Sequence, residues 1–214
     1  MPASINVVVI DDHVLFRTGL RELLEQEGIR VVGEASTVAP GLELISSRDP
    51  EVAIVDLGLP RESGHEAIRQ ITSSAPHTQV LVLTISTDET DVTDAVLEGA
   101  CGYLVKDASP SEIVAGVRAA ATGDSMVSPR LATKLLERLR ASERGRSEGG
   151  IQALSAREKD VLRLLVEGKD NATIAEELFI SPYTVKNHVS SILLKLEVEN
   201  RLQAAVCAVR GSLV

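Results

Sequence analysis

The sequence predicts an α/β domain followed by an all-α domain. In the first half, short runs of β-branched and aliphatic residues alternate with amphipathic segments, a pattern typical of a buried parallel sheet covered by helices. From about residue 153 onward, every periodic segment has helical spacing. The length of 214 residues suits two small domains better than one.

Five apolar runs are the candidate strands of the first domain, and an amphipathic segment follows each of them. Strict alternation of strand and helix predicts a doubly wound sheet with helices on both faces. Pro76, Gly99 and Gly102 lie where turns are needed. The predicted strands are 7–10, 31–32, 52–55, 80–83 and 103–105, and the predicted helices are 14–27, 38–47, 64–74, 88–98 and 110–122.

A different composition separates the two predicted domains, which are residues 1–127 and 153–214. Leucines recur at helical spacing after the Ser-Pro pair at 128–129, which predicts a short linker helix. The polar, glycine-rich stretch 141–150 has no periodicity and is typical of a flexible tether. We therefore assign residues 128–152 to a linker helix and tether.

Four helices are predicted in the second domain. Ser155 and Glu158 form a capping-box pattern that opens the first helix, which we expect to reach Glu167. Ser181 and Pro182 suit the N-cap and the first position of the third helix. The other predicted spans are 171–178 for the second helix, 182–196 for the third, and 201–209 for a fourth helix that Asn200 caps.

The net charge of −9 is unevenly distributed along the chain. Residues 1–127 hold 8 Lys and Arg against 20 Asp and Glu, whereas residues 153–214 hold 8 of each kind. An acidic surface attracts cations and repels DNA phosphates. Any contact with DNA therefore belongs to the second half of the chain.

We expect a cytoplasmic protein that makes no contact with a membrane. No window approaches the roughly 20 apolar residues of a membrane helix, and the N-terminus has no targeting pattern. Cys101 and Cys207 stand far apart and have no metal-ligand spacing, which favours a reducing compartment. We assign no functional role to His13, His65 or His77.

Polar residues come directly after four of the predicted strands. Asp11 and Asp12 follow the first strand, and Asp56 follows the third. Thr84 follows the fourth strand and Lys106 the fifth. Parallel strands of an open sheet bind ligands at their carboxyl ends. We therefore expect three carboxylates, one hydroxyl and one ammonium group around a single crevice.

This set of groups suits phosphoryl transfer with Mg²⁺. Crowded carboxylates repel one another, and a divalent cation with oxygen ligands and room for water relieves that repulsion. A carboxylate such as Asp56 can act as a nucleophile toward phosphorus. Lys106 would offset charge on the transferring oxygens, and Thr84 could donate a hydrogen bond to the product.

These residues, with Gly58-Leu-Pro60 after Asp56 and Gly102-Tyr-Leu-Val-Lys106 later, resemble the receiver domain of two-component response regulators over roughly residues 5–122. The resemblance implies a flavodoxin-like sheet with strand order 2-1-3-4-5. It also implies that Asp56 is phosphorylated by a sensor histidine kinase.

The same resemblance assigns the remaining roles in the receiver. Mg²⁺ would be held by Asp12, by Asp11 through water, by Asp56 and by the backbone carbonyl of Gly58. Lys106 would pair with the phosphoryl group. Thr84 would move toward that group, and Tyr103 would reposition as space opens.

The segment from Ile174 to Val189 predicts two helices joined by a tight turn at 179–181. A helix in the major groove presents its N-terminal residues to base edges, where Lys can bond guanine and Asn can bond adenine. The predicted base-facing residues are Thr184, Lys186, Asn187 and Ser190, and Lys195, Thr173 and Asn171 are predicted to contact phosphates.

Residues 153–209 resemble the LuxR-type helix-turn-helix of the NarL/FixJ class, on Leu154-Ser-Ala-Arg-Glu158, on Asn171 with Ile174-Ala175, and on Thr184-Val-Lys-Asn-His188. The resemblance implies that the last helix dimerises, and it adds His188 to the predicted DNA-contacting set. Two residues depart from the family pattern. Glu197 stands where Gly is usual, which predicts a poorly capped helix end, and Leu194 stands where a basic residue is common.

The combined prediction is a response regulator whose phosphorylation controls dimerisation, DNA binding and transcription, with RNA polymerase as a further partner. We predict no enzymatic turnover beyond slow autodephosphorylation. One alternative is a ligand-sensing LuxR-type regulator, although such sensors enclose their ligand among aromatic residues and only 2% of this chain is aromatic. The others are a receiver-like regulator that takes no phosphate, and a phosphatase that uses Asp56, although Gly58 stands where its second acid would be.

Overall fold

The computed structural model describes residues 4–59, 63–86, 88–124 and 153–210. The chain divides into two compact units, Met1–Ala121 and Thr122–Val214, and each is described by itself. The predicted linker helix and the predicted tether lie outside the described residues.

The first unit contains a five-stranded parallel sheet with strand order β2-β1-β3-β4-β5, which confirms the predicted order. A helix follows every strand. The strands are β1 Asn6–Ile10, β2 Arg30–Ala35, β3 Val52–Val55, β4 Gln79–Thr84 and β5 Gly102–Val105, and the helices are α1 Val14–Gln26, α2 Val38–Arg48, α3 Gly64–Ser74, α4 Glu89–Leu97 and α5 Pro110–Thr122.

The two faces of the sheet have separate hydrophobic cores, because successive side chains of a strand point to opposite faces. On one face, Val9 packs in the cluster that includes Leu24 of α1 and Val117 of α5. On the other face, Ile10 packs in the cluster that includes Ile68 of α3. Strand β1 therefore contributes to both cores, and its carboxyl end leads directly to Asp11.

Strand β2 is longer than the predicted run 31–32. It continues through Gly33 and Glu34 to Ala35, with a register irregularity opposite Val7 and Val8. The sequence pattern breaks at Gly33 because that residue has no side chain to bury. Backbone pairing with β1 continues regardless, since it does not depend on the apolar pattern.

Helix α3 begins close to the loop that follows β3. A Cβ atom at Gly64 would lie 2.4 Å from the backbone carbonyl oxygen of Asp56 and 2.5 Å from Cα of Leu57. Only glycine permits this approach. Gly64 therefore fixes how tightly α3 packs beneath the loop that carries Asp56.

The second unit contains four described helices: α6 Ala156–Val166, α7 Asn171–Leu178, α8 Pro182–Leu196 and α9 Arg201–Arg210. Ser155 and Glu158 make the predicted capping box at the start of α6. Ser181 caps α8 by accepting a hydrogen bond from the Thr184 N–H group, with Pro182 at the start of the helix. Buried side chains from all four helices form one core, among them Leu162, Ile174, Val185, Ile192 and Ala204.

Helix α8 ends at Glu197, whose φ of 55° lies in the left-handed region. The Val198 N–H group donates to the Leu193 carbonyl at 3.0 Å, which is the long hydrogen bond of a Schellman motif. The helix end is therefore closed by its hydrogen bonds. Glu197 still lowers the stability of the helix end, because a residue with a Cβ atom disfavours the left-handed backbone conformation.

The two cysteines have different surroundings, and neither forms a disulfide. Cys101 is buried in the core of the first unit, and burial raises the pKa of its thiol to about 12. Cys207 lies on α9 and is half-buried.

Among the described residues, we find no helix with the length and apolar character needed to cross a membrane.

Candidate functional site

Three carboxylates meet at the carboxyl ends of β1 and β3 and form an acidic pocket of Asp11, Asp12 and Asp56. Asp11 and Asp56 are almost completely buried, at 2% and 1% exposure. The Asp56 N–H group donates to the Ile10 carbonyl at 3.0 Å, which continues the pairing of the two strands. The sheet therefore holds these side chains at one edge, as the sequence predicted.

Lys106 supplies the positive charge of the pocket. Its ammonium nitrogen lies 2.7 Å from Asp11 Oδ2 and 2.7 Å from Asp56 Oδ2. The Lys106 N–H group donates to the Thr84 carbonyl at 2.8 Å, and the ammonium also lies 4.7 Å from the centre of the Phe16 ring. Burial makes this contact strong, because a charge pair away from water is weakly screened.

The second oxygen of Asp56 has a different partner. Asp56 Oδ1 accepts a hydrogen bond from the Gly58 N–H group at 3.1 Å. This short turn holds the carboxylate in a fixed orientation and keeps the Gly58 backbone beside the pocket. The Gly58 carbonyl, which the resemblance predicts to be a Mg²⁺ ligand, belongs to the same turn.

The pocket fits a divalent cation with oxygen ligands. Asp12 Oδ1 is buried and accepts no hydrogen bond among the described residues. His13 Nδ1 lies 2.9 Å from this oxygen without forming a hydrogen bond, and a cation would satisfy the buried oxygen. Asp12 does not cap α1 in its place, because the N-cap residue is His13.

Thr84 and Tyr103 lie on the neighbouring strands. Thr84 is buried at the end of β4, and its hydroxyl accepts from the Ser86 N–H group at 3.3 Å. The Tyr103 hydroxyl donates to the Ser86 carbonyl at 2.8 Å. Burial raises the pKa of Tyr103 to about 12. Both predicted switch residues therefore contact Ser86.

Sequence reasoning missed His13. Its Nδ1 atom lies 2.9 Å from Asp12 Oδ1, 3.4 Å from Asp11 Oδ1 and 3.8 Å from Asp56 Oδ2. The only available signal was its position directly after two aspartates. A lone histidine on a polar segment is otherwise most often a solvated residue.

In the second unit, helix α8 has one buried face and one exposed face. Val185, Val189 and Ile192 are buried, which turns the opposite face to solvent. That exposed face carries Tyr183, Lys186, Asn187, Ser190 and Leu194, whereas Thr184 and His188 are partly buried. Helix α8 thus presents the predicted base-facing residues Lys186, Asn187 and Ser190 together.

The three predicted phosphate contacts have different environments. Lys195 forms an ion pair with Glu158 of α6 at 2.7 Å. The Asn171 side chain is buried. Thr173 is exposed, and its N–H group donates to the capping carboxylate of Asp170. Thr173 and Lys195 are thus exposed, and each already has a partner within the second unit.

Glu158 is a second residue whose role the sequence did not reveal beyond the capping box. Burial opposes its ionisation, but hydrogen bonds from Lys195, Ser191 and Ser155 outweigh that effect and lower the pKa of Glu158 to about 2. A charged, buried carboxylate thereby joins α6 to α8.

Comparison with known families identifies both units. Residues 7–118 match the family described as response regulator receiver domain. Residues 152–208 match the family described as bacterial regulatory proteins, luxR family.

The chain aligns with the following proteins over nearly its whole length. The chain is 41% identical over 211 residues to the transcriptional regulatory protein LiaR of Bacillus subtilis, covering 98% of this chain and 99% of LiaR. A crystal structure of ChrA, the response regulator of a heme-sensing two-component system, is 37% identical and superposes with a TM-score of 0.52, covering 99% of each chain. The response regulator RcsB in complex with DNA is 27% identical, with a TM-score of 0.57 and coverage of 98% of this chain and 99% of RcsB.

Proposed function

Because the chain belongs to the response regulators that join a receiver domain to a LuxR-type DNA-binding domain, we propose that phosphorylation of Asp56 controls how this transcription regulator binds DNA. One observation carries the proposal. The buried Asp56 carboxylate lies 2.7 Å from the ammonium of Lys106 and is oriented by the Gly58 turn.

The phosphodonor is a histidine kinase that carries phosphohistidine. An oxygen of Asp56 forms a bond to phosphorus while the bond from phosphorus to the histidine nitrogen breaks, and the electron pair stays with that nitrogen. Lys106 is placed to pair with the phosphoryl oxygens. Thr84 is expected to give up its contact with Ser86 and donate a hydrogen bond from its hydroxyl to the same group.

The acidic pocket would hold Mg²⁺ through Asp12 and Asp56, through Asp11 by way of water, and through the Gly58 carbonyl. When bound, Mg²⁺ neutralises charge on the transferring phosphoryl group. The donor set of carboxylate and carbonyl oxygens is the one that Mg²⁺ prefers. The close approach of the Asp11, Asp12 and Asp56 carboxylates supports this assignment.

The output is sequence-specific DNA binding in the cytoplasm. Helix α8 presents Lys186 and Asn187 on its exposed face, where they can reach base edges of the major groove. The DNA-bound relative RcsB has a similar fold. We propose that two copies bind paired half-sites through α9, and that RNA polymerase responds to the bound dimer.

The phosphorylation proposal is tested by intact mass measured after incubation with acetyl phosphate and Mg²⁺. The wild type should gain the mass of one phosphoryl group, and hydroxylamine, which cleaves acyl phosphates, should remove it. The variant Asp56→Asn should gain nothing. Asp107→Asn, which changes an exposed aspartate beside Lys106, is the matched control and should be labelled like the wild type.

A wild type without the added mass would favour the alternative of a regulator that takes no phosphate. Sustained turnover of a generic phosphate ester, lost in Asp56→Asn, would favour the phosphatase alternative. The ligand-sensing alternative would need a ligand-binding domain in the first half of the chain, and residues 7–118 match the receiver family instead.

The DNA proposal is tested with fragments that the wild type selects from a random pool. Asn187→Ala should relax the preference at one adenine by about 1–3 kcal/mol, because it removes a bidentate contact. Lys159→Ala on α6 is a control for surface charge and should keep the preference. Equal binding to all fragments by the wild type would contradict base reading by α8.

The proposed dimerisation is tested by gel filtration. Beryllofluoride, a mimic of the phosphoryl group, should shift the elution of the protein toward that of the dimer.

A further inference from the structure

The aromatic ring of Phe16 lies beside the ammonium group of Lys106. We propose that Phe16 is a positioning residue, whose ring binds this ammonium and keeps it at the acidic pocket while Asp56 is phosphorylated. The contact itself is a matter of geometry, and its effect on phosphorylation rests on the proposed role of Asp56.

The contact has the geometry of a cation–π interaction. Lys106 Nζ lies 4.7 Å from the centre of the Phe16 ring, within the roughly 6 Å over which a ring face attracts a cation. The Lys106 side chain is only 8% exposed, so water competes little for its charge. Desolvation makes such a contact stronger than one at the protein surface. It is the one cation–π contact in the part of the chain that the structure describes.

Helix α1 brings the ring to this position. Phe16, Leu20 and Leu24 are spaced by four residues, so they share the face of α1 that packs in the core. The neighbouring Val14 and Leu15 are instead 61% and 90% exposed. Phe16 is half-buried at the edge of the core, so its ring packs against apolar neighbours and still reaches the ammonium.

The polar partners of the ammonium cannot hold it in the same way. Among the described residues they are Asp11 and Asp56, each 2.7 Å from Nζ, and His13 Nδ1 at 3.4 Å. Both aspartates are proposed ligands of a cation, and Asp56 is also the proposed phosphoryl acceptor. His13 is 56% exposed. The Phe16 ring takes part in neither cation binding nor phosphoryl transfer, so its attraction for Lys106 persists when the carboxylates are engaged.

The ring therefore limits how far Lys106 can move during the reaction. A lysine has a flexible four-carbon stem, and its ammonium can turn to water once its counter-charges are engaged elsewhere. With the ring present, the ammonium stays where it can pair with the transferring phosphoryl oxygens. Loss of the ring should slow phosphorylation by about tenfold, the size expected for a desolvated contact of this kind.

The test changes the charge distribution of the ring and leaves its shape almost unaltered. Phenylalanine analogues with one, two and three ring fluorines are placed at position 16 of the full-length chain by codon suppression. Fluorine withdraws electron density from the ring face, so each added fluorine weakens the attraction for a cation. The other phenylalanine of the chain, Phe179, is 94% exposed and is the matched control position.

Unfolding by urea is measured first, without Mg²⁺ or a phosphodonor. The unfolding equilibrium constant of the first unit should rise stepwise with fluorine number, by up to about tenfold. The same series in Lys106→Met should show no trend, because the cation is absent, and neither should the series at Phe179. An absent trend, or an equal trend with and without Lys106, would show that Phe16 only fills the core.

Phosphorylation is measured next, as the rate of mass gain with acetyl phosphate and Mg²⁺. Phe16→Leu keeps an apolar side chain without a ring and should be labelled about tenfold more slowly than the wild type. Phe16→Tyr keeps the ring and should restore the rate. The fluorine series should slow labelling stepwise, and this comparison does not depend on the folding of Lys106→Met.

The two measurements separate this proposal from the proposed function. If the wild type is never labelled, the receiver role fails, and the unfolding series still decides whether Phe16 holds Lys106. If the wild type is labelled and Phe16→Leu is labelled at the same rate, the positioning role is wrong even where the unfolding series shows the contact.

Discussion

Glu158 on helix α6 and Lys195 on helix α8 form an ion pair in which the ammonium nitrogen lies 2.7 Å from the carboxylate oxygen. The carboxylate is buried and the ammonium is partly exposed. This contact fixes the position of the helix that is proposed to read DNA, and it commits a lysine that the sequence had suggested for phosphate binding.

Glu158→Gln should destabilise the second unit by about 1–3 kcal/mol, because Lys195 and Ser191 lose a charged acceptor. Hydrogen exchange measured on peptides from α6 and α8 should increase. Glu176→Gln, at an exposed position of α7, should leave exchange unchanged. Equal exchange in Glu158→Gln would show that the ion pair contributes nothing to stability.

The same variant should change the response to acid. The pKa of Glu158 is lowered in the folded state from 4.5 to about 2, so its contribution to stability is fully present above pH 4.5 and is lost as pH falls toward 2. The stability difference between wild type and Glu158→Gln should therefore shrink over that interval. Acid unfolding curves of both proteins check this, and a constant difference would contradict it.

Lys106→Met should destabilise the first unit by about 3 kcal/mol without added metal, because it leaves the buried Asp11 and Asp56 without a counter-charge. Mg²⁺ should narrow the difference from wild type, since the cation replaces the missing charge. Arg118→Met breaks an exposed ion pair with Glu27 and should cost less than about 1 kcal/mol. Scanning calorimetry with and without Mg²⁺ measures all three proteins.

Tyr103→Phe should reduce the sensitivity of the first unit to alkali. Burial raises the pKa of Tyr103 from 10.0 to about 12, so wild-type stability from this group is present below pH 10 and is lost as pH rises toward 12. The Phe variant cannot ionise at this position and should lose less stability over the same pH interval. Unfolding curves measured across this pH interval check the prediction. Tyr183→Phe, at an exposed position, is the control.

Glu197→Gly should stabilise the second unit by about 0.5–1 kcal/mol, because glycine adopts the φ of 55° without a Cβ penalty. Glu197→Ala removes the same charge but keeps the Cβ atom and should give no gain. Thermal unfolding of the three proteins separates backbone strain from charge. An equal gain in both variants would assign the effect to the carboxylate.

The fold and the pocket could be predicted because their signals are local. Asp11, Asp56 and Lys106 each follow an apolar strand, and parallel strands bring their carboxyl ends to one edge. The capping box at Ser155 likewise follows from a pattern within a short window, whereas the strand order was implied by the resemblance to receiver domains. The extension of β2 through Gly33 was not predicted, because backbone pairing leaves no apolar pattern in the sequence there.

Contacts between distant side chains could not be predicted in the same way. Lys195 has the position of a phosphate contact, yet its partner Glu158 is 37 residues away in the sequence. Asn171 has a family match, yet its side chain is buried. His13 belongs to no periodic sequence pattern that would indicate its position beside the carboxylates. Each depends on which long side chains meet after folding, and a single sequence does not record that.

The contrast between the two thiols has a practical consequence. Cys101 is sealed in the core with its pKa raised to about 12, so a maleimide dye at neutral pH reacts with its thiolate extremely slowly. Cys207 is the more accessible thiol, and it lies on α9, the helix proposed to meet its copy on DNA. The natural sequence thus offers one attachment point for a fluorophore, and energy transfer between two labelled copies would report their pairing in real time without any engineered residue.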